Sequence, residues 1–258
     1  MRQLILCILS LCLWGTSIAA PGFSSASLGG GETTHFKADE IITFAKKVER
    51  TLASKGAHVA ILARMGRPLS EMPRGMHFTH VAFVVYSQIQ TADGRTLPGY
   101  AIHNLYQYDD KPNTSRLVID YPVDFFSGVA QMEAGILIPS AELQQRLIKV
   151  IASPAYAAVH EPRYSVIANP YNEGRQNCTE FVLDVINAAI YQTSDIKQLK
   201  QVSQKYFVAQ PVEVNPCPTP PPAPTSPTSS SWSPRCLATA AAFSLRALTR
   251  KTLPSAPA

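Results

Sequence analysis

His77-Phe78-Thr79-His80-Val81-Ala82-Phe83-Val84-Val85-Tyr86 decides the fold of this chain. The run is rich in β-branched and aromatic residues and is apolar on both faces beyond His80, the pattern of a strand buried inside a sheet. Asp93-Gly94 turns the chain, Pro98-Gly99 follows, and residues 100–108 return as a second strand carrying His103. Setting His80 opposite His103 puts Tyr86 opposite Leu97 and leaves residues 87–96 as the connecting loop. In that register the two imidazoles are cross-strand neighbours, and one can hold the other's tautomer.

Upstream, Ile41, Ala45, Val48 and Leu52 share a helical face over residues 39–54, Asp39 suits the cap and Gly56 ends the helix. Residues 58–64 form a strand that runs into the breaker Gly66-Arg67-Pro68. Downstream, residues 116–120 and 135–138 add sheet segments, separated by a turn or short helix over residues 123–131. Ser140 caps a helix whose Leu143, Leu147, Ile148 and Ile151 share a face, and Pro154 stops it. Residues 164–168 are extended, residues 169–176 form a polar loop, and a last helix spans residues 195–206. The expected class is α+β, an antiparallel β-sheet flanked by helices.

The loop delivers Arg175-Gln176-Asn177-Cys178-Thr179-Glu180-Phe181-Val182, in which Asn177 suits an N-cap and Glu180 can complete a capping box with the Asn177 amide. Cys178 is then the first helical residue, where unpaired amides and the helix dipole favour a negative sulfur and an oxyanion donor is at hand. Phe181, Val182, Val185, Ile186 and Ala189 continue an apolar stripe, with Asp184 and Asn187 on the other side. A buried cysteine serving as a small hydrophobe is the alternative.

The chain of 258 residues opens with Arg2, an apolar core over residues 4–14 and small residues Ser17, Ala19 and Ala20. This pattern implies a signal peptide over residues 1–20, an exported and periplasmic mature protein, and no membrane span in that mature chain. Leu6 and Leu11 precede Cys7 and Cys12, which argues against a lipoprotein cleavage site. A single domain is expected over residues 32–215. Residues 216–258 are a Pro/Ser/Ala-rich tail of disordered composition, and the abrupt change also fits a shift of reading frame near Asn215. Cys217 and Cys236 fall in that tail, so the mature chain holds an odd number of cysteines with Cys178. The net charge of +5 owes much to tail arginines, and no basic stripe with interleaved aromatics is present, which argues against a nucleic-acid partner.

A histidine early in a core strand, a polar residue on the next strand and a later Asn-Cys-x-x-Phe-Val helix start resemble the circularly permuted papain-like proteins, the permuted branch of the NlpC-type peptidase clan that includes lecithin:retinol acyltransferase-like enzymes. The resemblance covers residues 79–187 and implies Cys178 as nucleophile, His80 as base and His103 as orienting residue. The loop between the histidines is longer than in those enzymes, and Asn104 or Tyr106 takes the third role if the register slips. Ala60-Ile61-Leu62-Ala63-Arg64-Met65-Gly66-Arg67 and His160-Glu161-Pro162-Arg163-Tyr164 are also similar to a bacterial family of exported proteins of unknown function.

Arg64, Arg67 and Arg74 are candidates for an anionic substrate group, and Tyr164 and Tyr171 for a substrate groove, against the commoner roles of solvated arginine and packed tyrosine. His80, His103 and Cys178 could together bind zinc, but only His77 and His80 are closely spaced. No metal or cofactor is expected. The sequence therefore points to an exported thiol hydrolase or acyltransferase acting on an envelope amide, peptide or lipid acyl substrate, with a non-catalytic cell-envelope binding or assembly protein as the alternative; it leaves the oligomeric state open.

Overall fold

The computed structural model describes residues 35–209. The expected signal peptide, the tail and the cysteines other than Cys178 lie outside the described residues. Five strands, β1 (Val59–Arg64), β2 (His80–Gln90), β3 (Thr96–Gln107), β4 (Ser115–Asp120) and β5 (Ala134–Leu137), form one antiparallel sheet in the order β4-β3-β2-β1-β5. The helices are α1 (Ala38–Ser54), α2 (Pro122–Ser127), α3 (Ala141–Ile151), α4 (Pro154–Ala158), α5 (Cys178–Tyr191) and α6 (Ile196–Tyr206). The α+β expectation holds. Among the described residues no helix is long and apolar enough to cross a membrane.

The sheet is buried on both faces because its central strands are apolar at successive positions rather than alternate ones. Ala60, Leu62, Ala82, Val84 and Ile102 pack against Ile41, Ala45, Val48 and Leu52 of α1 and against Phe125 and Phe126 of α2. Ile61, Ala63, Val81, Phe83, Val85 and Leu105 pack against Cys178, Phe181, Val182 and Val185 of α5 and Leu147 of α3. Strand periodicity thus gives two cores, one per face.

Several local expectations are corrected. Lys37, not Asp39, is the N-cap of α1, and its amide is held by Glu40. Pro154 does not simply stop α3; with Ser153 as cap it opens α4, where its fixed φ and missing N–H suit a first helical position. Gly56 does end α1, at φ +61. The β2–β3 hairpin runs on into the expected loop, with Gln90 opposite Thr96.

That extension moves the register. Phe83, not His80, lies opposite His103. The slip is three residues, an odd number, so His103 turns to the sheet face opposite His80. Helix α5 differs too. Asp184 and Asn187 are buried, and Asp184 meets α6, because α6 covers the side of α5 left over by the sheet.

Candidate functional site

His80 opens β2 with Arg64 of β1 directly opposite it, on the α1/α2 face. Its Nε2 donates to Asn104 Oδ1 at 3.0 Å, Asn104 Nδ2 donates to Asp120 Oδ1 at 2.8 Å, and Tyr106 OH donates to Asp120 Oδ2 at 2.8 Å. The imidazole stacks on Tyr106 with centroids 5.0 Å apart and lies 5.7 Å from Phe125. Arg64 donates to the carbonyl of Phe125 and sits over that ring. Every polar member of the group is buried, His80 at 2% exposure and Asn104 at 0%.

Burial, with the Arg64 cation beside it, pushes the His80 imidazole down to about 3, so it stays neutral at ordinary pH. With Nε2–H donating, Nδ1 is a lone-pair acceptor, and it has no hydrogen-bond partner. Burial lifts Asp120 to about 6 despite its two donors and the nearby arginine. Burial likewise pushes the Tyr106 hydroxyl well up. At neutral pH the chain thus joins an uncharged imidazole, through an amide, to an Asp120 that is largely carboxylate and has Arg64 nearby.

Cys178 stands at the start of α5 on the opposite face, 3% exposed within the apolar core of that side. The Asn177 cap forms as expected, with Oδ1 accepting from Thr179 N at 3.1 Å and Glu180 N at 2.9 Å. Asn177 Nδ2 also ties down the carbonyls of Val166 and Ala168. The capping box is not completed, because the Glu180 carboxylate turns instead to Lys200 Nζ at 2.6 Å. Lys200 also reaches Asp184 Oδ2 at 2.7 Å, and Gln176 Nε2 donates to Asp184 at 2.8 Å.

Neither expected imidazole meets the sulfur in a hydrogen bond. His80 faces away through the sheet and makes its hydrogen bond with Asn104. His103 shares the face of Cys178 but approaches α5 through Tyr156, 5.9 Å between centroids, which in turn packs at 5.1 Å on Phe181. Burial lowers the His103 imidazole. The third role expected of His103 falls by contact to Asn104, the alternative offered by a slipped register.

Arg64 and Tyr164 are buried, at 3% and 2% exposure, and lie inside the cores rather than on an open groove. Tyr171 is half-buried and donates to the carbonyl of Phe207 at 3.3 Å. Arg67 lies 3.7 Å from Glu71. His160, read as structural, shares a 3.0 Å hydrogen bond with Ser115 Oγ and packs on Phe181. Among the described residues no group of three or more His, Cys, Asp or Glu is arranged to hold a metal ion.

Sequence reasoning missed Asp120 and the Glu180, Asp184 and Lys200 cluster. A signal for the cluster was present: Glu180 and Asp184, four residues apart, interrupt a helix that is otherwise nearly all apolar, and such charges need a cation when buried.

No curated protein and no solved structure matches this chain. A family model does match over residues 51–219, taking in every strand and all of α2 to α6. The chain belongs to the family described as uncharacterized protein conserved in bacteria, DUF2145.

Proposed function

We propose that this chain is a cell-envelope protein that works by binding or assembly rather than by thiol chemistry. One observation carries the reading: His80 and Cys178 belong to opposite faces of the sheet, each buried in its own core. A thiol nucleophile needs its base within hydrogen-bond reach, and here the base is committed to Asn104 on the far side of β2. Residues 1–20 supply the case for export.

A place for a partner is consistent with this reading. Among the described residues β4 pairs only with β3, and Ser115 N turns outward to Pro162 O. Strand alternation then points the backbone groups of Leu117 and Ile119 outward as well, next to an Ile119 side chain that is 62% exposed. Open apolar strand edges are surfaces that proteins either blunt or use.

The thiol hydrolase or acyltransferase reading retains one favourable observation, the Asn177 cap that leaves Cys178 first in α5. Alkylation by iodoacetamide at about pH 6 separates the two, since a thiolate paired with an imidazolium reacts far faster there than an ordinary thiol. The expected result is a Cys178 rate no greater than that of free cysteine and unchanged by His80→Ala. A fast reaction that collapses in His80→Ala, with the variant folded by circular dichroism, overturns the binding reading in favour of the enzyme.

A further inference from the structure

Helix α6 is held on α5 by one buried lysine facing two buried carboxylates. Lys200, Glu180 and Asp184 are 4%, 1% and 0% exposed. With all three ionised the cluster carries one excess negative charge in a site screened from water, an arrangement that buried groups avoid by taking up a proton. The hydrogen bonds say which carboxyl takes it. Asp184 accepts from Lys200 through both oxygens and from Gln176, whereas Glu180 accepts from Lys200 through Oε1 alone, and its buried Oε2 has no partner.

The charged and titratable groups around Glu180 come from each neighbouring segment. Lys200 faces it from α6 and Asp184 from the next turn of α5. Glu161, on the segment before Tyr164, adds a like charge that its own ion pair with Arg163 tempers. Burial is the largest influence, and the two acids reinforce it, while Lys200 opposes it; the result lifts Glu180 to about 8.

The same helix also holds the approach to Cys178. Gln204 Nε2 donates to Tyr171 O at 2.9 Å and Tyr171 OH to Phe207 O, so the end of α6 ties down the loop that leads into Asn177. We propose that Glu180, Asp184 and Lys200 form a proton-operated latch: with Glu180 protonated, α6 and the loop before Cys178 stay closed, and loss of that proton loosens both.

In the closed state the Glu180 carboxyl keeps its proton to well above the range of a solvated glutamate. In the opened state the side chain meets water and releases the proton at its ordinary value, breaking the O–H bond and leaving a carboxylate whose proton goes to solvent. Opening therefore becomes easier as pH rises from about 4.5 to about 8, by up to tenfold per unit, and levels off above that. The cluster is independent of whether Cys178 reacts with substrate, so the proposal stands or falls apart from the binding reading.

The test is hydrogen exchange of the α6 amides in the full chain from about pH 5.5 to about pH 8.5, corrected for intrinsic rates, in the parent and in Glu180→Gln. The parent's opening should rise several-fold per unit up to about pH 8. Glu180→Gln should be flat, and the ratio of parent to variant Cys178 alkylation rates should climb over the same interval. Matching profiles in the two proteins overturn the proposal. If Glu180→Gln does not fold, carbon-13 NMR of the glutamate carboxyls in the parent decides: Glu180 still protonated at about pH 7 supports the latch, and titration in the usual carboxylate range overturns it.

Discussion

The two faces of the sheet bury polar groups by different means. On the α1/α2 face a neutral imidazole is linked in a chain to an acid, His80 to Asn104 to Asp120, with Tyr106 closing it. On the α5 face a formal cation meets two acids. Removing the amide link from the chain takes away hydrogen bonds but no charge, whereas removing the cation from an ionic cluster upsets its charge balance, and the second loss is larger in a dry interior. The difference teaches that the sheet is a partition: chemistry legible in one line of sequence is divided between two cores that share no side chain.

Lys200→Met should be the most damaging substitution, since it leaves Asp184 ionised and buried without its cation. Unfolding by denaturant should show a loss of about 3–5 kcal/mol near neutral pH, with part of it recovered in acid as the carboxyls protonate. Asn104→Ala on the other face should cost less, about 1–3 kcal/mol, since it strands the His80 N–H and takes one of two donors from Asp120 but removes no charge. Equal losses from the two substitutions would show that the faces are not distinguished as described.

The pH dependence distinguishes the faces by sign. His80 is held below its unfolded value, so its contribution is present above about pH 6.5 and is lost as pH falls towards about 3. Asp120 is held above its unfolded value, so its contribution is present below 3.8 and is lost as pH rises to about 6. Between those limits the two slopes oppose each other and nearly cancel. Glu180, raised from 4.5 to about 8, has the sign of Asp120 but reaches further. Stability should therefore fall from about pH 6.5 to about pH 8, by at most about 1.4 kcal/mol per unit from Glu180. Thermal melts of parent and Glu180→Gln check this, and a parent whose stability is flat or rises across that interval contradicts it.

The smallest expected effect is at the cap. Asn177→Ala removes the acceptor for the Thr179 and Glu180 amides and should lower stability by about 1 kcal/mol. Asn177→Asp should keep most of the capping but lose the donor to the Val166 and Ala168 carbonyls, which separates helix capping from loop anchoring.

Much of the fold was legible because its elements are bounded by strong local signals. The doubly apolar run from Val81 to Val85 identified a central strand, Ser140 capped α3, and Asn177 started α5 at Cys178. The candidate site was less legible, since its residues were found but not their neighbours. Cys178, His80 and Asn104 could all be named from the sequence, yet a three-residue change in hairpin register decided which imidazole shares a face with the sulfur.

Local pattern is enough for the element types, the antiparallel hairpin, the capped cysteine and the presence of imidazole, amide and carboxyl groups on adjoining strands. Those features depend on periodicity and on contacts within a few residues. Tertiary structure alone decided that Phe83 opposes His103, that His80 turns to Asn104, and that Glu180 gives up the cap for Lys200. Each of these depends on which strands extend past their turns and which helix lands on which. Strand parity inverts every side chain with each odd slip, and a buried carboxylate goes to the nearest cation whatever its place in the chain.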